Sequence, residues 1–293
     1  MKTTTRLRQL LAGREIVIAP GAYDAITARL IEHAGFPVVY MTGAGTAASL
    51  GYPDFGLVTM TEMVANVATL ARSVHIPIIA DADTGYGNEL NVTRTVREYE
   101  SRGVAGIHIE DQVAPKRCGH LDGKEIIPAD EYVAKIRAAV AARRDQDFLI
   151  IARTDARAVA GLDEAIARAN AAIDAGADMA FVEAVQTMEE LQAVPVRVKG
   201  HCLLNVVRGG KTPDVDFGAA QSMGYRLAIL PSLLIVATTE ACTSVLRKVK
   251  ETNAPPSSAG RMPVAERFRR MGSDEWTALA TKFRDAAAPK AAE

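Results

Sequence analysis

Eight short apolar runs, rich in β-forming residues, recur along this chain. Each is separated from the next by a longer stretch with the three- and four-residue spacing of an amphipathic helix. The runs lie at residues 16–19, 38–41, 78–81, 106–110, 148–153, 179–183, 202–205 and 227–230. Several are apolar almost throughout, as parallel strands covered on both faces must be. A common junction precedes many of them. Gly35, Gly103, Gly176 and Gly224 each stand where a helical stretch gives way to a strand, the place where a left-handed residue ends a helix. Eight strand–helix units favour a closed (β/α)8 barrel of the TIM type over a doubly wound sheet, which commonly has about five or six strands.

The 293 residues are compatible with one such domain, since barrels of about 250 residues are routine. After the eighth strand the sequence reads as helix over 233–251, as a Pro-, Ser- and Gly-rich loop over 252–263, and as helix again over 264–284. The chain is therefore expected to be a single barrel domain, 1–293, with 244–293 as a C-terminal helical extension whose last residues, 286–293, are frayed. Hydrophobic residues make up 48% of the chain, enough for a sizeable core. A formal charge of −1 gives no basic field of the kind a nucleic-acid binder relies on. Three cysteines in so long a chain suggest no disulfide framework, and Cys202 and Cys242, in apolar surroundings, read as packing residues. The first residues carry Arg6 and Arg8 without a long apolar stretch, so no secretory signal is expected. The most apolar run, 227–237, is too short to span a bilayer and is interrupted by Pro231. A cytoplasmic protein that binds neither nucleic acid nor membrane follows from these features.

Polar residues fall at one place in each unit. The second strand runs into Thr42-Gly43-Ala44-Gly45, the third ends at Asp81-Ala82-Asp83, and the fourth at Glu110-Asp111. The fifth ends at Arg153-Thr154-Asp155, the sixth at Glu183 and the seventh at Asn205. In a barrel these ends converge on the face where active sites are built, and charges gathered there are costly without partners or a metal. Asp81 and Asp83 share one face of a strand end, and Glu110 adds a third carboxylate from the neighbouring strand. An all-oxygen set of this kind suits Mg2+ or Mn2+; helix capping, or pairing with Arg153, is the alternative for any one of them. Arg153 offers a planar fork to a substrate carboxylate, or an ion pair to Glu110 or Glu183. Thr42, Gly43 and Ala44 could present backbone N–H groups to an anion. After the fourth strand, Lys116-Arg117-Cys118-Gly119-His120 places a thiol among positive groups, which would favour its thiolate or tune it as a proton donor. His108, inside the fourth strand, reads as a core or supporting histidine.

At these residues the chain resembles the isocitrate lyase and phosphoenolpyruvate mutase superfamily, and within it the 2-methylisocitrate lyase-like branch with the dimethylmalate and petal-death-type lyases. The matching segments are 40–45 (YMTGAG), 81–87 (DADTGYG), 109–112 (IEDQ), 116–120 (KRCGH) and 152–156 (ARTDA), in one order from about residue 7 to 234. The resemblance implies a homotetramer in which the barrel's eighth helix is exchanged between subunits, and a loop carrying 116–120 that closes over a small carboxylic acid. It implies that Asp81, Asp83 and Glu110 hold Mg2+, with Asp54 near its waters. Tyr40, Thr42, Gly43, Ala44 and Arg153 would bind the 2-oxo-acid half, and Gly119, His120, Glu183 and Asn205 would contact substrate, while Asp155 would orient Arg153 or start a helix. The cysteine loop points to a carbon–carbon lyase that forms pyruvate or a related 2-oxo acid, with Cys118 as acid and Tyr40 or a metal-linked water as base. Oxaloacetate hydrolysis or decarboxylation, phosphonate chemistry and a non-catalytic binding protein are the rival readings.

One position departs from the pattern. The lyases carry a glutamate in a segment resembling N-x-x-E-G-G-x-T-P; here residues 205–213 read NVVRGGKTP, with Arg208 in its place. If Arg208 enters the pocket it would favour a substrate with an extra acidic group. The alternative is that it points outwards and pairs with Asp214 or Asp216.

Overall fold

The computed structural model describes residues 1–256, 260 and 262–287. Eight parallel strands close on themselves in sequence order: β1 Val17–Ala22, β2 Val39–Met41, β3 Ile78–Asp81, β4 Gly106–Glu110, β5 Leu149–Thr154, β6 Met179–Val182, β7 His201–Asn205 and β8 Tyr225–Leu230. All eight expected runs are strands, and β1 and β8 pair to shut the barrel. The four junction glycines all adopt positive φ, from 82° at Gly103 to 108° at Gly224, where a side chain would be strained.

Side chains alternate across each strand. One set points inward, and Val17, Ala19, Tyr40, Ile79, Ile151, Phe181, Leu203 and Ile229 belong to one buried cluster there. Leu7 and Leu11 of the first helix, Thr3–Ala12, join it and close the end where the strands begin. That plug is not apparent in the sequence, because the helix is short and has no side-chain cap. The outward set, including Val39, Met41, Ile78, Ala80, Ile107 and Ile150, packs against the surrounding helices. Where the strands begin, Asp178 accepts hydrogen bonds from Arg143 Nη1 (2.7 Å) and the Ile150 N–H (2.8 Å), and pairs with Arg8 Nη1 at 2.8 Å. Arg8 also donates to the carbonyls of Asp147 and Phe148.

The chain divides into two compact units, Met1–Ala237 and Thr238–Glu293. The division falls a few residues before the expected start of the extension at 244. It interrupts the helix Leu233–Thr252, which is followed by the helices Val264–Arg270 and Ser273–Ala287. The expectation of a frayed end at 286–293 lies, from residue 288 onward, outside the described residues. Cys202 is buried, as expected of a packing residue, whereas Cys242 is exposed on its helix. No helix among the described residues is long and apolar enough to cross a membrane.

Candidate active site

The inward positions that pack the barrel lower down become polar where the strands end. Asp81, Arg153 and Asn205 stand two residues beyond the inward Ile79, Ile151 and Leu203, and His108 and Glu110 alternate with the outward Ile107 and Ile109, so with Tyr40 they face the same axis. Register sets Asp81 beside His108 and Glu110 beside Arg153. Tyr40, Thr42, Ala44, Asp54, Asp81, Cys118, Gly119, His120, Arg153, Glu183 and Asn205 all line one cavity of about 190 Å3. Gly43 touches the same place from the backbone side: a Cβ there would collide with the Asp81 carboxylate. Gly43 and Ala44 open the helix Gly43–Ser49, which Thr42 caps by accepting from the Gly45 N–H at 3.3 Å.

Arg153 sits at the centre of the floor. Its Nε donates to Asp155 Oδ2 (3.0 Å), Nη1 lies 3.1 Å from Glu110 Oε2, and Nη2 lies 3.3 Å from Glu183 Oε2. The guanidinium also stacks over Phe181, 5.1 Å from the ring centroid. Burial opposes its charge, but Asp155, Glu110 and Glu183 more than compensate and push its pKa up, so it is a permanent cation. Asp155 is an orienting group rather than a helix cap, for its side chain makes no capping bond. It is held in turn by Lys124 Nζ at 2.9 Å, and its N–H donates to Asp111 at 2.8 Å. Lys124 also donates to the Gly119 carbonyl, fastening the cysteine loop to the floor. Neither that lysine nor its role was legible in the sequence.

The carboxylates divide by environment. Burial works against ionisation of Asp81, yet His108, Lys116 and Arg153 outweigh it and hold the group at about 2. At Asp83 burial is the largest influence and, with Asp81 and Asp54 beside it, outweighs the help from Lys116, so the value rises to about 6. At fully buried Glu110 desolvation pushes the pKa well up, and neither oxygen has a hydrogen-bond partner. Asp83 Oδ1 is likewise without one, although it faces Lys116 Nζ at 3.1 Å. Lys116 itself is buried and bonded to Asp54. Its charge is spent on the carboxylates rather than on the thiol two residues later.

This arrangement tests the expected Mg2+ site. Oxygen donors with unmet bonding capacity, including the two oxygens of Glu110, match a hard cation in kind. Among the described residues no three of His, Cys, Asp or Glu stand close enough together to grip an ion unaided. An ion here would need waters beside one or two carboxylates, which is how magnesium is commonly held. Asp81, Asp83 and Glu110 would be its protein ligands, with Asp54 beyond.

Cys118 is half-buried. Burial raises its pKa above the ordinary thiol value, and the His120 N–H and Arg153 only partly offset this. Of the two expectations, thiolate or proton donor, the surroundings support the donor. His120 accepts from the Lys211 N–H through Nδ1 (3.0 Å), which leaves Nε2–H facing Glu183 Oε1 at 3.4 Å, while Asn205 Nδ2 donates to the same carboxylate. Burial lowers the His120 pKa, so the ring is a neutral donor. Tyr40 Oη meets His108 Nε2 at 2.8 Å and Asp81 Oδ2 at 3.4 Å. Burial, then Asp81, pushes the phenol well up, so Tyr40 cannot wait as a phenolate base. His108 is buried and held neutral, at about 4, chiefly by desolvation, in keeping with a supporting role.

Arg208 does not reach the cavity. It is exposed and lines a separate groove with Asp214, Asp216 and Phe217. Its neighbour Val207 turns inward instead and joins Ala48, Ile229, Pro231, Ser232 and Ile235 on the cavity wall. These wall residues carry no polar pattern that a linear reading could single out.

The chain matches the Phosphoenolpyruvate phosphomutase family over residues 7–250. It is 46% identical to the 2,3-dimethylmalate lyase of Eubacterium barkeri over 269 residues, 92% of each chain. It is also 46% identical to the 2-methylisocitrate lyase of Aeropyrum pernix over 245 residues, 84% of this chain and 79% of that one. Among solved structures, oxaloacetate acetylhydrolase in complex with the inhibitor 3,3-difluorooxalacetate superposes with a TM-score of 0.91 at 38% identity, covering 99% of both chains.

Proposed function

Because the chain belongs to the phosphoenolpyruvate mutase and isocitrate lyase superfamily, and is a carbon–carbon lyase of it, we propose that it cleaves a 2-hydroxy di- or tricarboxylate to pyruvate or a related 2-oxo acid and a second carboxylate. The observation that carries this reading is Cys118, a protonated thiol on the cavity wall beside Arg153, His120 and Glu183. Retro-aldol cleavage needs an anion grip at one end of the breaking bond and a proton donor at the other.

Arg153 and the N–H groups that open the helix Gly43–Ser49 receive the carboxylate next to the reacting carbon. Mg2+, when bound by Asp81, Asp83 and Glu110, supplies Lewis-acid stabilisation of negative charge on the 2-oxygen. Tyr40 takes the hydroxyl proton only as it gives up its own, and His108 Nε2 and Asp81 are the acceptors in reach. As the C2–C3 bond breaks, its electrons pass to the departing carboxylate fragment, and Cys118 protonates C3. Lys124 and the Gln112–Arg117 pair, bonded in both directions at 2.8 and 2.9 Å, hold the loop over the site and keep water out. A cytoplasmic homotetramer with an exchanged eighth helix is the setting we propose for this activity.

The test is 2-oxo-acid release from a panel of substituted malates and 2-methylisocitrate, before and after EDTA and with Mg2+ restored. Turnover should vanish on chelation and return with Mg2+ or Mn2+. Cys118→Ser should lower kcat by about 10²-fold or more with little change in binding. Hydrolysis or decarboxylation of oxaloacetate, with none of the panel cleaved, would overturn the lyase reading.

A further inference from the structure

Arg168 is the one charged residue among the buried positions of the helix Leu162–Asp174, where Ala165, Ile166, Ala169 and Ala172 surround it in sequence. A charge is rarely buried without partners, and this one has three. Its Nε donates to Glu164 at 2.7 Å, and Nη1 donates both to Asp111 Oδ2 at 3.2 Å and to the Ile127 carbonyl at 2.8 Å. Asp111 and Ile127 are the two ends of the segment that carries Cys118. The two ends are joined by their backbones. The Ile127 N–H donates to the Asp111 carbonyl and the Val113 N–H to that of Glu125, each at 2.9 Å, and Gln112 faces Ile126 across an antiparallel bridge. The cysteine loop therefore has a neck, and Arg168 clamps both of its sides from the helix behind it.

Resting on the lyase reading above, we infer that Arg168 is a positioning residue for the reaction. By fixing the neck of the cysteine loop against the end of β5, it sets Cys118 at the distance from Arg153 that proton delivery requires. The Asp111 carboxylate that receives Arg168 also accepts from Thr154 Oγ1 (2.7 Å) and from the Asp155 N–H (2.8 Å), the two residues after Arg153. One buried carboxylate thus refers the anion grip and the proton donor to a common point. The fit between them is close, for a carbon added to Gly119, next to Cys118, would come within 2.5 Å of Arg153 Nη2. Neither Arg168 nor Asp111 lines the cavity, so each acts through the backbone it holds. Arg153 keeps Asp155, Glu110, Glu183 and the Phe181 ring whether or not Arg168 is present. Loss of Arg168 is therefore felt at the thiol and not at the grip.

The experiment is Arg168→Met, read three ways with Mg2+ present. These are kcat on a cleaved acid, the calorimetric Kd of oxalate, and the rate at which iodoacetamide alkylates Cys118, followed by mass spectrometry of its peptide. Because a small misplacement of a reacting group is costly, kcat should fall about 10²-fold while the oxalate Kd stays within about threefold. Alkylation, which depends on access to the thiol, should quicken at least about fivefold. Both neck bonds come from one nitrogen, and an ammonium also carries several donors, so Arg168→Lys should recover at least about tenfold of the lost kcat. Should the single variant fail to fold, Arg168→Met with Asp111→Asn removes both buried charges and takes its place. A folded variant whose kcat and alkylation rate both stay within about twofold of the parent, as remote substitutions do, would show Arg168 to be structural only. A larger loss in oxalate affinity than in kcat would also overturn the inference, since the effect would then lie at Arg153. If the parent cleaves none of the acids, the lyase reading fails on its own. The alkylation rate then decides this inference separately: a quickened rate upholds the clamp on the loop, and an unchanged rate refutes it.

Discussion

The two ends of the barrel use the same kinds of side chain to opposite purpose. Where the strands begin, Asp178 pairs with Arg8, Arg143 and a backbone N–H at once, and Arg143 Nε alone is left over there. Where they end, carboxylates and a cation are equally close but incompletely satisfied. Seven buried polar side-chain atoms lack a hydrogen-bond partner among the described residues. Five of them, on Asp83, His108, Glu110 and Asn205, lie at this end. Matched charge is a fastening, whereas unmet bonding capacity is held open for a ligand.

The sharpest way to break the comparison is Glu110→Gln. It replaces a buried carboxyl group whose oxygens lack hydrogen bonds by a neutral amide that cannot ionise for a cation, so kcat/KM should fall about 10²–10³-fold, the range seen when one electrostatic stabiliser is lost. The urea midpoint should stay in place or rise. A variant that unfolds readily but turns over normally would erase the distinction between the ends. Asp178→Ala is the converse. It removes the carboxylate that Arg8 and Arg143 share, leaving them only backbone carbonyls, and should cost about 2–4 kcal/mol of stability, with kcat/KM within about twofold of the parent at a temperature where both are folded. Equilibrium unfolding and steady-state kinetics on the same preparation check both halves. Arg208→Glu sharpens the boundary of the open end. Exposed beyond the cavity, it should change neither the order of substrates nor any single kcat/KM by more than about twofold, as remote surface substitutions do. A reordered substrate panel would bring Arg208 back into the site.

Much of this contrast can be read from the linear chain, and the unread part has a common cause. Strand positions follow from local patterning, since alternation and apolar runs are properties of a few consecutive residues. Asp81, Glu110, Arg153, Glu183 and Asn205 were legible as strand-end groups because the barrel brings all such ends together. Lys116 was legible only as a positive neighbour of Cys118. Its bond to Asp54 crosses 62 residues, and no local pattern encodes that. The wall formed by Val207, Pro231 and Ile235 was hidden for a similar reason, as apolar residues in connections look alike whether they face a ligand or fill space. Arg208 shows the opposite hazard. A charge substitution inside a motif invites a role in the pocket, yet which way its side chain turns is decided by the backbone between Asn205 and Gly210.

Two glycines described above bear on how such a site could be remade. A methyl group on Gly43 would meet the Asp81 carboxylate, and one on Gly119 would come within 2.5 Å of both Arg153 Nη2 and Glu183 Cγ. Neither glycine offers a functional group, so a library aimed at obvious chemistry would treat both as free positions. They are instead where the backbone is pressed against the charged floor, and even alanine would shift the groups it touches. The apolar wall has no such constraint, because Val207 and Ile235 can change size without displacing an ion pair. Directed evolution of this scaffold should therefore find its accepted mutations on the wall and almost none at the two glycines, a mutational map that deep sequencing of a selected library would expose.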